Sequence, residues 1–227
     1  MLTAFLPCRS GSERVPQKNI KRFSSFENGL IEIKLNQLLN CSAIDNVVLS
    51  TNDDLILEYA NGVNSSKLTI HERAEYLCTS TTSTDELVGH ALELIPEGDI
   101  LWTHVTSPFI NSKIYSEIIE QYRNALSGGF DSLMTTSKIF GFLWNENEPI
   151  NYDREREKWP RTQTLPVIHE VNSGVFLSTA GNYRKLNDRI GVKPFLYSLD
   201  KFRSFDIDWE DDFELAQLIY EKGLVTL

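Results

Sequence analysis

The sequence has no apolar run near the roughly 20 residues that a bilayer-spanning helix requires, so no membrane span is expected. Its opening, MLTAFLPCRSG, lacks a basic segment ahead of a long apolar stretch, so it does not have the form of a secretory leader. Both absences point to the cytoplasm. Cysteine is scarce: Cys8, Cys41 and Cys78 stand far apart, form no CxxC pair and are odd in number, which argues against a disulfide framework. The histidines do not cluster with cysteines, so no zinc site is expected. The glycine-rich signatures GxxxxGKS/T and GxGxxG are missing, as is the GxSxG nucleophile elbow. An excess of positive charge is missing too. The net charge is −10, which disfavours nonspecific nucleic-acid binding.

Against that acidic background, one stretch is cationic. In RSGSERVPQKNIKR, residues Arg9, Arg14, Lys18, Lys21 and Arg22 stand against Glu13 alone. Gly11 sits between Ser10 and Ser12, and Pro16 stiffens the exit. Small residues let backbone N–H groups approach phosphate oxygens, and arginine and lysine supply charge. Composition alone leaves this stretch poised between a solvated surface loop and a site for a small anion such as a nucleotide.

Periodicity places the loop. Residues 2–7 read as a short buried strand, and LIEIKLNQLL at 30–39 has apolar residues at helical spacing. Further strands are expected in DNVVLS, KLTIH, DILWTHV, DSLMTTSKI and SGVFLS. Helices are expected in DLILEYA, in STDELVGHALELI with a capping signal at Thr84 and Asp85, in IYSEIIEQYRNAL and at the C-terminal end. Short strands alternating with helices indicate an α/β fold with a mainly parallel sheet flanked by helices. Such sheets bind ligands at the carboxyl ends of their strands, where the cationic loop falls. Residues 138–170 lack periodicity and read as an excursion: a lid, a dimer arm or a specificity loop. No repeat or linker divides the chain, so residues 1–227 are expected to form one domain.

Two more segments carry chemistry. In FDIDWEDD, Asp206 and Asp208 are two apart, so an extended backbone turns both carboxylates to one side, where they can share Mg²⁺. Alternatively Asp208 only caps the last helix. In RAEYLCTSTTST, Arg73 precedes a run of hydroxyl residues that could read a base edge or simply form a polar turn. His104 closes a strand on the same rim, whereas His71, His90 and His169 read as structural.

Together these residues resemble the acylneuraminate cytidylyltransferases, which make CMP-activated sialic acids and related sugar acids. RSGSERVPQKNI looks like that family's N-terminal signature, and RAEYLCTSTTSTDELVGHAL like its second motif running into a helix. THVTSPFI is similar to the Q-P-T-S-P-L-R segment, and NSGVFL and SFDIDWEDD to the N-G-x-x-Y strand and the terminal D-I-D motif. The resemblance implies a Rossmann-like nucleotidyltransferase that transfers CMP from CTP to the anomeric hydroxyl of a 2-keto sugar acid and releases pyrophosphate. Arg9, Lys18 and Asn19, with Ser10, Gly11 and Ser12, would hold the CTP phosphates and ribose. Arg73, Thr82 and Thr84 would lie around the cytosine, and His104 and Asn172 by the sugar. Asp206 and Asp208 would hold Mg²⁺, with Arg9, Lys18 and Asp208 central to catalysis. Residues 138–170 would be the arm of a homodimer. The chain departs from the family pattern at Ser80, His104, Val105 and Ile110, and no arginine precedes the N-G strand. These departures bear on the acceptor more than on CTP, and they leave open an octulosonic-type or non-sugar acid. A DxD glycosyltransferase or a non-catalytic nucleotide-binding protein are the remaining alternatives.

Overall fold

The computed structural model of the chain describes residues 1–12 and 14–227; Glu13 of the cationic loop lies outside the described residues. Strand β1 (Leu2–Pro7) is buried at every position, as a central strand covered on both faces must be. Its side chains alternate between two cores, Ala4 and Leu6 on one face and Phe5 on the other. Helix α1 (Gly29–Leu39) follows the cationic loop. Then come β2 (Asn46–Thr51), α2 (Asp54–Asn61) and β3 (Leu68–Glu72). Helix α3 (Thr84–Leu94) leads to β4 (Asp99–Thr103), and α4 (Ser112–Ser127) leads to β5 (Ser132–Ile139). The chain ends with β6 (Ile168–Thr179), α5 (Ala180–Leu186), β7 (Pro194–Leu199) and α6 (Glu210–Glu221).

The strands form one sheet in the order β3-β2-β1-β4-β6-β5-β7. Only β6 runs against its neighbours; the other pairings are parallel. Helices α1, α2, α4 and α6 contribute to the core on one face, and α3 and α5 to the other. The expected α/β layering is therefore present. Among the described residues, no helix is long and apolar enough to cross a membrane. Gly29 joins the cationic loop to α1 at φ +61°, and an added Cβ there would strike the Lys21 carbonyl oxygen. The loop's exit thus depends on glycine.

Several sequence expectations are corrected. The irregular excursion is 140–167, not 138–170. Its first two residues finish β5 and its last three begin β6, where Ile139 pairs with Ile168 and Ser137 with Glu170. This extension is only half-buried, so no apolar run marks it. Helix α5 and strand β7 were not anticipated. The helix is one short segment containing Gly181 and Asn182, poor helix formers. The strand is an edge, without continuous burial or clean alternation. The cap of α3 is Ser83, which accepts from the Glu86 N–H while the Glu86 carboxylate accepts from Ser83, so Thr84 is the first helical residue. Asp208 does not cap α6 either. That role falls to Asp212, whose carboxylate accepts from the N–H groups of Asp208 and Trp209 at 3.0 and 2.8 Å. Asp208 is left free for other work.

Candidate active site

The cationic loop leaves the carboxyl end of β1 and is fixed from beneath. Val15 and Phe23 are fully buried, and the Phe23 ring meets Phe213 of α6 at 5.5 Å. Asn19 donates to the Arg9 carbonyl at 3.2 Å, and the Asn19 carbonyl accepts from the Ile31 N–H at 2.9 Å, which ties the loop to α1. Ser10 N–H donates to Asn52 at the end of β2, and Asn52 in turn bonds both carboxylate oxygens of Glu75. Gly11 takes φ +72° with open space around it. Asn19 therefore acts here as a brace within the loop.

Arg73 is 3% exposed. Its guanidinium donates to the Cys8 carbonyl at 2.7 Å and to the Cys78 sulfur at 3.1 Å. It is a post under the loop, not a side chain presented at the surface. Thr82 spends its hydroxyl in a turn with Thr79 and the Tyr76 carbonyl, and Thr84 is exposed on the first turn of α3. Burial pushes the Cys8 thiol up to about 12, so it is held as an inert apolar group.

The carboxylate pair arrives from the far end of the chain. Ile207 is fully buried, and its N–H donates to the Thr106 carbonyl at 2.9 Å. Asp206 is held deeper than Asp208, whose side chain is 50% exposed. Lys18 Nζ reaches across 189 positions to donate to the Ile207 carbonyl at 2.7 Å and lies 3.8 Å from Asp208. Arg14 meets Asp208 at 3.2 Å and lies 5.0 Å above the Trp209 ring. Lys21 pairs with Glu210 at the start of α6. Burial lowers the Lys18 ammonium from its ordinary range, and the nearby Asp208 opposes that shift.

Asp206 lies deeper. Burial raises its carboxyl above the usual range, and the charge of Asp208 adds to this. The Thr106 and Ser173 hydroxyls face it and favour the charged form, yet among the described residues its Oδ1 is buried without a hydrogen-bond partner. An orphaned carboxylate oxygen beside a second carboxylate fits a hard divalent cation. No group of three or more His, Cys, Asp or Glu residues able to hold a metal occurs among the described residues. The pair therefore suits an ion that takes one or two protein carboxylates and completes its shell with water and phosphate, as Mg²⁺ does.

The remaining wall comes from β6. Its register shifts against β5 between Met134 and Thr136, so residues 172–175 bulge. The bulge turns Asn172 onto the Thr135 and Ser137 hydroxyls and leaves no room for a side chain at Gly174, where a Cβ would lie 2.7 Å from Thr135 Oγ1. His104 donates from Nδ1 to the Ser173 carbonyl at 2.8 Å and accepts at Nε2 from the Trp102 indole at 3.0 Å. Both ring nitrogens are thus engaged within the fold. Burial pushes the imidazole down to about 4, so it is neutral at pH 7. A cleft of about 920 Å³ opens beside Asp206, lined by Ser137, Lys138, Glu170, Ser198 and Lys201.

The state of His104 has a measurable consequence. Between its ordinary pKa of 6.5 and about 4, the unfolded chain takes up a proton that the folded chain refuses. Stability is therefore lost as pH falls through that window, by up to ~3 kcal/mol from this residue. A glutamine amide can reproduce both bonds. His104→Gln should fold normally and lose less stability than the parent between pH 7 and pH 4.5 in urea melts; an unchanged pH slope would refute the assignment.

A family model described as cytidylyltransferase matches residues 3–225. The chain belongs to the cytidylyltransferase family. A pseudaminic acid cytidylyltransferase of Campylobacter jejuni serotype O:2 is 26% identical, over 95% of this chain and 94% of that one. An N-acylneuraminate cytidylyltransferase of Escherichia coli O18:K1:H7 is 25% identical over 97% of this chain, which spans 52% of that enzyme's length. Among solved structures, a CMP:2-keto-3-deoxy-manno-octonic acid synthetase complexed with CTP superposes with a TM-score of 0.66 at 14% identity, covering 98% of this chain and 99% of that one. A 4-diphosphocytidyl-2C-methyl-D-erythritol synthase gives 0.67 at 16% identity, covering 96% and 98%. This cytidylyltransferase is thus a CTP-dependent nucleotidyltransferase, and the structural likenesses establish its fold.

Arg14 stands out in the sequence only as one cation of the loop, and Thr106, Ser173 and Lys34 are not among the residues the sequence singles out. A signal existed for one of them. Lys34 falls three and four positions after Ile31 and Leu30, on the stripe destined for the core.

Proposed function

We propose that the enzyme transfers CMP from CTP to the anomeric hydroxyl of a 2-keto sugar acid of the sialic-acid type. The observation that carries this is the reach of Lys18 from the cationic loop to the Asp206–Asp208 segment, which sets fixed positive charge against a carboxylate pair. The acceptor oxygen attacks the α-phosphorus of CTP, the bond to the β-phosphate oxygen breaks, pyrophosphate leaves, and the hydroxyl proton passes to solvent. Arg9, Lys18 and the backbone of Ser10, Gly11 and Ser12 face the phosphates, where negative charge grows. Asp206 and Asp208 would hold Mg²⁺, which supplies positive charge to the phosphoryl oxygens. Arg73 supports the cytosine side by holding the Cys8 carbonyl. The cleft beside Asp206 accommodates the sugar, with Lys138 and Lys201 available to its carboxylate. Those two lysines take the part of the arginines that the sequence lacks at Ile110 and ahead of Asn172. Named relatives act on pseudaminic and N-acylneuraminic acids, which favours a nine-carbon acid over an octulosonic one.

A screen of four nucleoside triphosphates against a panel of 2-keto sugar acids, read by pyrophosphate release with Mg²⁺, tests this directly. Release is expected with CTP and a sialic-type acid; none with any acid would sink the proposal.

We also propose that residues 1–227 act as one domain in a cytoplasmic homodimer, with no nucleic-acid or membrane partner. Residues 140–167 build a small aromatic cluster, Phe142 against Tyr152 and Trp159, yet leave Phe140, Ile150 and Trp159 mostly exposed. Such a patch is costly to leave in water and suits a second copy of the chain. Sedimentation equilibrium should give a dimer, and Trp159→Asp a monomer; a monomeric parent would refute the arm.

A further inference from the structure

Helix α1 carries two polar side chains on the face it turns to the core. Lys34 and Gln37 are 0% and 4% exposed, although Leu30, Ile31 and Leu38 around them belong to the apolar core. Lys34 Nζ donates to the Ser107 carbonyl at 2.7 Å and to the Tyr115 hydroxyl at 2.8 Å. Gln37 donates to the Pro108 carbonyl at 2.6 Å. The Tyr115 hydroxyl bonds Thr103 Oγ1 at 2.7 Å, and Thr103 donates to the Gly174 carbonyl of the β6 bulge. The turn after β4 is therefore held by α1 from within. On its outer side the same turn accepts the Ile207 N–H at Thr106 and presents the Thr106 hydroxyl to Asp206.

This arrangement is expensive. Among the described residues, Lys34 forms no salt bridge. A buried ammonium without a carboxylate partner is less favourable than an apolar chain of the same length. Burial pushes the ammonium down to about 7, with the field of Asp206 opposing. A methionine would fill the same volume without that cost.

We propose that Lys34 is a positioning residue for the carboxylate pair, acting through Ser107 and Thr106 to set where Asp206 stands. The inference rests on the proposed role of that pair in binding Mg²⁺. The test is calorimetric titration of Mg²⁺ into the full chain saturated with a non-hydrolysable CTP analogue, paired with thermal melts in the absence of metal. Lys34→Met is expected to melt within a few degrees of the parent or above it, while its Mg²⁺ dissociation constant rises about tenfold or more, the usual penalty for lost outer-shell support. A folded Lys34→Met with unchanged Mg²⁺ affinity would overturn the proposal. If that variant shows no cooperative melt, Tyr115→Phe decides: Mg²⁺ binding weaker by about threefold or more supports the proposal, as loss of one neutral hydrogen bond would predict, and unchanged binding overturns it. A parent that binds the analogue but no Mg²⁺ removes the metal role of the carboxylates, and the inference falls with it.

Discussion

Asp206→Asn is expected to lower turnover roughly a thousandfold while raising the melting temperature, since catalytic charge and folding stability pull in opposite directions here. The wild-type carboxylate is buried, its Oδ1 has no partner among the described residues, and its pKa is raised. A carboxyl raised in the folded state contributes stability at low pH and loses it as pH rises through the folded pKa. Above that folded pKa the native protein therefore carries the cost of the charge. Asparagine keeps the shape and removes the cost, so the gain in melting temperature should be largest at pH 7 and vanish in acid. Asp208→Asn makes the contrast: its side chain is 50% exposed and paired with Arg14, so turnover should collapse with little change in stability. Steady-state kinetics with melts at pH 4.5 and pH 7 read both. An Asp206→Asn protein with parental turnover would remove the catalytic assignment.

Lys18→Ala is expected to cost about a hundredfold or more in kcat/KM for CTP, in the range of losing one preorganised charged donor. Lys18 is nearly buried, and its ammonium joins the cationic loop directly to the Ile207 carbonyl, between the two carboxylates. Removing it deletes the charge proposed to face the phosphates and one of the loop's ties to the carboxylate segment, leaving Arg14 on Asp208 and Lys21 on Glu210. The remaining bonds of the loop to α1 and to Asn52 should keep the fold. If neither kcat nor KM for CTP moves, the loop is not the phosphate site.

Much of this was legible in residue order. The apolar run of β1, the helical spacing of α4 and the turn residues between them are local patterns, and local patterns translate into elements without knowledge of partners. The loop and the Asp206–Asp208 pair were visible because charge and two-residue spacing are also local. Two elements supported by only one neighbour escaped, β7 and the outer half of β6, since their half-buried strands carry no continuous apolar signature, whereas the edge strand β3 was expected from KLTIH. The roles of polar residues changed most. Arg73, expected around the cytosine, is a buried post holding the Cys8 carbonyl; His104, expected by the sugar, has both ring nitrogens engaged within the fold.

Residue order alone specified a parallel α/β sheet, a cationic loop at its carboxyl edge and a pair of carboxylates able to share an ion. Packing alone assigned the partners. Whether Arg14 meets Asp208, whether Lys18 spans 189 positions to a carbonyl, and whether Lys34 stands in the core behind Asp206 depend on where α1, α6 and the turn after β4 come to rest. The physical reason is range: hydrophobic periodicity is written into neighbouring residues, whereas the partner of a charge is fixed by burial and distance in three dimensions.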